Sequence, residues 1–305
     1  MYTFAKVTTL LPLSLKRAYI ELHIAVVLLA CTAILGDLIS LSATVLVWWR
    51  TLIAGLGMAI FLLLRKRLSI RQLMDSKKLY LLGVMVAIHW ICFFGCIKLA
   101  NASTALICFA TISFFTAWIE PWITHRPLVR HEIVFGLMVI PGIVLIAGKA
   151  EGDIMIGIFL GITAALLLAI FSSLEKKWIL EVDPEHMSLI QMASAWVTMC
   201  LWLGGEMLFG GPIRFWPDMT DLGYLLVLGL LCTCVGWVLC IRAVRLVNAY
   251  DSIMVINLEP VYGMAMAFFL LKDFKELTTS YYIGAAIILA SVLIQHIRQK
   301  HHART

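Results

Sequence analysis

Apolar residues run along this chain in long stretches, parted by short polar breaks. Ten stretches stand out, at roughly 19–36, 41–64, 79–97, 101–124, 132–148, 154–174, 187–209, 222–243, 248–271 and 279–297. A helix rises 1.5 Å per residue, so about 20 residues cross a hydrocarbon core of about 30 Å. The pattern predicts an all-α integral membrane protein of ten transmembrane helices. The longest polar gaps inside the chain, Arg65–Lys78 and Glu175–His186, leave no room for a separate soluble domain.

The pattern also repeats. With an offset of 147 residues, Trp237 falls on Trp90, Arg245 on Lys98, Leu246 on Leu99, Asn248 on Asn101 and Ala249 on Ala102. Ile97–Ala102 is thus echoed by Val244–Ala249, and apolar stretches flank both copies at similar spacing. Two units of five helices are expected, 19–148 and 154–297, within one transmembrane body. Lysine and arginine set their orientation, because cytoplasmic loops carry the excess of positive charge. With the N-terminus inside, eighteen of these residues fall on the cytoplasmic side and five outside, Arg50 lying within the second stretch. Both termini are therefore expected in the cytoplasm. Five is odd, so the second unit enters the membrane opposite to the first: an inverted repeat.

Composition narrows the class. The chain is 62% hydrophobic and 14% charged, where soluble domains average about 25% charged. The net charge of +6 follows loop positions and reads as membrane orientation, not nucleic-acid binding. All eight cysteines lie inside apolar stretches, which predicts free thiols. Lys16 and Arg17 precede the first stretch and no small-residue cleavage pattern follows it, so a cleaved signal is not expected.

Polar residues inside the apolar stretches are the candidate chemistry. The segment Ser252–Leu271 is long enough to span, yet carries Glu259 and Pro260 at its middle and Asn257 just before them. A carboxyl at that depth is tolerated only against protein or a water-filled cavity, and proline frees the carbonyl of Ile256 and loosens the turn. Arg50 lies about eight residues into the second stretch, where a guanidinium costs about 2.5–3.5 kcal/mol on insertion scales. It is read either as a clamp on a substrate carboxylate or as a structural pair with Asp37 or Glu259. His89 and Trp90 occupy the middle of the third stretch. His89, Cys92 and Cys96 share a helix face but supply only three ligands, so no metal is expected. In the fourth stretch Thr104, Cys108, Thr111, Phe115, Trp118 and Trp122 form a polar and aromatic stripe. Thr111, Phe115 and Trp118 are its candidate cavity wall, and Trp122 an interfacial anchor. Trp237 and Tyr262 complete the set of cavity candidates. Glu120 and Glu206 read as interfacial, and Glu175 as a cytoplasmic helix end. Gly157, Gly161 and Ala165, at four-residue spacing, signal close helix packing, within the chain or between copies.

Enzyme signatures fail. His131–Phe135 lacks the second histidine of a zinc-protease helix, and Gly142–Lys149 lacks the glycine and hydroxyl of a phosphate loop. No cofactor is expected. The alternative to a carrier is a membrane-embedded enzyme using Glu259 and His89 as an acid–base pair.

Three phrases carry a resemblance: Trp49–Ala54, Phe93–Leu99 and Leu258–Gly263, the last followed by Lys272-Asp273 and Leu277-Thr278. With them the chain resembles the drug/metabolite transporter superfamily, EamA type, over about residues 20–297. Ser113 stands where that family commonly has proline. The resemblance implies a multi-pass protein of the inner (cytoplasmic) membrane. It implies a secondary transporter, read as an exporter of small metabolites such as amino acids or amphiphilic compounds. Helices 1–4 and 6–9 would wall the cavity and helices 5 and 10 would brace it. The implied partners are a small-molecule substrate, membrane lipid and protons for coupling, with no nucleic acid; oligomeric state is left open.

Overall fold

Lipid offers no hydrogen bonds to loose helix ends, so the ends of these helices are finished by side chains. In this computed structural model α1 (Pro12–Leu38) turns into α2 (Ala43–Leu64), whose first N–H groups meet the N-cap hydroxyl of Ser42. Ser69 caps the short α3 (Ile70–Asp75), which leads into α4 (Lys77–Leu99). Asn101 caps α5 (Ala102–Phe109) through Thr104 N at 2.7 Å. After α5 come α6 (Ile112–Thr124), α7 (Asp153–Trp178) and α8 (Pro184–Phe209). Asp218 caps α9 (Met219–Leu226), which runs through a π-helical stretch, Val227–Val235, into α10 (Gly236–Leu246). The last described long element is α11 (Glu259–Leu270). The structure describes residues 12–125, 152–179, 182–210, 213–247, 255–256 and 258–271, with scattered positions of 127–144 and 279–290.

Helix predominates among these residues, and none of them is in a strand. Seven stretches are long and apolar enough to cross a membrane: Leu15–Leu38, Ala43–Leu64, Lys77–Leu99, Ala102–Thr124, Asp153–Trp178, Pro184–Phe209 and Met219–Leu246. They correspond to seven of the ten expected spans. The expected fifth and tenth spans fall largely outside the described residues. Leu201, Leu208, Phe209 and Phe159 stand exposed on the outer surface, as lipid-facing side chains do.

Three details refine the expected spans. The fourth span runs from Ala102 to Thr124, but its regular helix is interrupted at Ala110–Thr111, where Thr111 Oγ1–H turns back to the carbonyl of Cys108 at 2.6 Å. In the ninth, helix is described at Val255 and Ile256 and, after a turn at Leu258, again from Glu259. Pro260 stands in the first turn from there, where the missing N–H is no loss. The sixth continues to Trp178, which brings Glu175 into the helix body. The first two share a register: Ile112 and Glu259, the first residues of α6 and α11, are 147 residues apart.

Packing exchanges the first helix of each half. α1 lies mainly on α10, α11 and the π-helical stretch, while α7 lies on α4, α5 and α6. The second contact needs small residues. A Cβ on Gly161 would stand 2.7 Å from Cys108 Cβ and 2.9 Å from Cys96 Sγ, and one on Gly157 would stand 3.3 Å from Leu99 and Ala100. The small-residue ladder therefore packs within the chain.

Both ends of the bundle are tied. At one, Ser40 gives its N–H and Oγ–H to the carboxylate of Asp221, at 2.8 and 2.6 Å, and Arg214 bonds Ser40 Oγ at 2.9 Å. Lys98 Nζ donates to the carbonyl of Ile39 there. At the other, Ser69 N–H meets His186 Nε2 at 3.1 Å, and Lys176 is ion-paired with the buried Glu120.

Candidate functional site

Arg50 organises the interior. It is 1% exposed, and Nε donates to Thr233 Oγ1 at 2.8 Å. Thr233 can accept because its own hydroxyl hydrogen goes to Leu228 O, five residues back in the π-helical stretch, at 2.7 Å. The Arg50 guanidinium carbon lies 3.8 Å from the centre of the Trp90 ring and 5.4 Å from that of Phe94. Ring faces therefore hold the charge, which aromatic quadrupoles favour most where water is excluded. Nη1 has no hydrogen-bond partner among the described residues. Nor does Arg50 form an ion pair there; the structural pair offered by the sequence is replaced by Thr233 and Trp90.

Arg50 faces a cavity of about 130 Å³, room for several waters or one small solute. His89, Trp90, Trp237, Glu259 and Glu175 line it too. His89 gives Nδ1–H to Ala164 O at 2.8 Å, since a carbonyl can only accept. It is thus a satisfied histidine and a wall residue at once. The two tryptophans paired by the 147-residue offset meet here, Trp90 edge-on to Trp237 at 5.8 Å. Glu259, 8% exposed, sits in the first turn of α11.

Other candidates lie elsewhere. Thr111 is buried in the α5–α6 break, Phe115 packs on the core beside Phe114, and Trp118 is 45% exposed on the outer surface. α6 contributes Ile112 and Thr116 to the wall in their place. Tyr262 turns toward α1, its hydroxyl 3.2 Å from His23 Nδ1. Asn257 lies outside the described residues. Glu120 is buried and paired with Lys176. Sequence reasoning missed Thr233, Gln191 and Glu175. The last had a signal: Leu168, Phe171, Ser172 and Glu175 follow one helix face at i, i+3, i+4 and i+7, visible once the helix extends to Trp178.

The rival acid–base pair has no direct link, since His89 and Glu259 share no hydrogen bond among the described residues. No group of three metal-ligating side chains gathers there either. All eight cysteines are free thiols.

A bundle of long apolar helices around a charged, aromatic-walled cavity defines a class: multi-pass membrane proteins. The family model of the EamA-like transporter family matches this chain twice, over residues 16–148 and 155–295, and the chain belongs to that family. It is a membrane transport protein built of two EamA repeats. No curated protein matches it. Solved structures match in 23 chains. One crystal structure is 14% identical, superposes with a TM-score of 0.67, and aligns over 93% of this chain and 98% of its own. At that identity the likeness concerns the fold alone.

Proposed function

We propose that this protein is a secondary transporter of the cytoplasmic membrane that exports small metabolites, such as amino acids or amphiphilic compounds, by alternating access. The observation that carries the reading is Arg50: a fully buried guanidinium on the cavity wall, held by a hydroxyl and a ring face, with Nη1 unpartnered. A purely structural arginine at this depth would be expected to satisfy its donors within the bundle. An anionic group entering the cavity would satisfy this one. The two interrupted segments support the reading, because carriers commonly bind their cargo at broken helices. The ties at both ends supply contacts that opening on either side would exchange. In this reading ten helices form two inverted repeats with both termini in the cytoplasm. Glu259 takes a proton or a cationic group of the cargo.

The test is reconstitution. Purified protein in liposomes is loaded with labelled amino acids, nucleobases and amphiphilic amines, and the emerging compounds are identified by mass. Protein-dependent release of an unaltered compound supports the carrier. Release only of altered compounds would instead establish an enzyme.

A further inference from the structure

Glu175 has no part in the reading above, yet it stands where two hollows meet. A second hollow, of about 90 Å³, lies toward Lys176 and shares with the main cavity Thr116, Ser172, Glu175, Cys240, Ile241 and Ile256. Its far wall includes Glu120 and Lys176, paired with each other. A solute moving from Arg50 toward that pair passes Glu175.

The carboxylate is aimed from behind. Trp237 Nε1–H can only donate, so its 2.8 Å contact fixes the side-chain oxygen of Gln191. Gln191 Nε2 is thereby turned to Glu175 Oε1, also at 2.8 Å. Gln191 is fully buried, so this orientation has no solvent alternative. The support is a neutral donor, not a cation. The adjacent Lys176 is committed to Glu120, and Glu175 forms no ion pair among the described residues. The same cavity wall carries the unpartnered Arg50 Nη1, on a side chain 1% exposed. Among the described residues the cavity thus offers a carboxylate with no cation in contact and a guanidinium with no anion in contact, Glu259 acting on Arg50 only from longer range. The rings of Trp90, Phe93, Phe171 and Trp237 line the same cavity.

We infer that Glu175 is a second station for the cationic group of the solute, separate from Glu259 and reached on the Lys176 side. Gln191 and Trp237 are its positioning residues. The solute chemistry is an ammonium on an apolar or aromatic body. This inference rests on the carrier reading.

Two probes of one shape and opposite charge test it: labelled phenylethylamine and labelled 3-phenylpropionate, titrated against the purified full chain in detergent. A charge-assisted hydrogen bond in a site of this kind is strong, so Glu175→Gln should weaken phenylethylamine about tenfold or more. Binding of 3-phenylpropionate should stay within about twofold, which also shows the variant is folded. Gln191→Leu leaves the carboxylate present but unaimed, and should produce a smaller loss for the amine alone. Unchanged amine binding in Glu175→Gln overturns the station. So does an equal loss of both probes, which would mark a general packing defect. If the wild type binds neither probe yet moves another solute in liposomes, the station falls and the carrier stands. If it moves none of the solutes offered, both fall.

Discussion

Arg50 heads the fully buried side chains by size, and its surroundings set what a substitution there will do. Lysine keeps the charge but loses the planar fork, the stacking on Trp90 and the directed bond to Thr233. Arg50→Lys should raise the apparent KM of transport about tenfold, equivalent to about 1.4 kcal/mol, while the melting temperature stays near that of the wild type. A collapse in melting temperature with KM unchanged would assign Arg50 to structure. For Glu259 the decisive readout is the gradient. Glu259→Gln should abolish concentrative transport yet spare exchange of solute between the two sides. A Gln variant that still concentrates solute with the wild-type pH profile would remove Glu259 from coupling.

Helices here are defined by how closely they approach and how they end. Gly161→Leu would drive a branched side chain into Cys108 and Cys96 across the α7 contact; overpacking of this kind costs about 1–3 kcal/mol and should lower the melting temperature. Gly204 lies inside α8 with nothing within 4 Å of a Cβ, so Gly204→Ala should be neutral or stabilising by about 0.5–1 kcal/mol. The cap of α9 adds a pH dependence. The backbone N–H of Asp221 holds the exposed Asp218 carboxyl below the ordinary carboxylate range, with Arg214 adding to it. A depressed carboxyl stabilises above its unfolded value, near pH 4, and that contribution is lost as pH falls through the folded value. Asp218→Ala should therefore lower the melting temperature at pH 7, and the difference from wild type should fade below about pH 4. Much of this architecture was legible in the sequence, because apolar runs of bilayer length leave few alternatives to helix. Arg50, His89, Trp90, Trp237 and Glu259 were legible as cavity residues for a related reason: polar or amphipathic groups at such depth need an interior. Their partners were not. Thr233 owes its reach to π-helical winding, which ordinary periodicity does not reveal, and Gln191 meets Trp237 only through tertiary packing. The Thr111, Phe115 and Trp118 stripe misled because the face of α6 on the cavity is the neighbouring one, carrying Ile112 and Thr116.

At the scale of the whole chain, orientation is the first thing to establish. On a cysteine-free background, a cysteine at Ser76 should react only with reagent supplied from the cytoplasm, and one at Asp218 only with reagent from outside. Labelling of Ser76 from outside would overturn the inverted arrangement. The exchange of first helices bears on how the molecule comes into being. α1 is complete at Leu38, but its main neighbour α10 begins at Gly236. Ribosomes add about 5–20 residues per second, so roughly 200 residues of synthesis leave α1 in the membrane for about 10–40 s without that neighbour. Throughout that interval its face toward Gly236, Tyr262 and the Ala243–Val255 cluster is open to lipid or to any other nascent helix nearby. Chains stalled before Gly236 should therefore be captured by membrane quality-control proteases that ignore the finished protein, and supplying the second half in trans should rescue them.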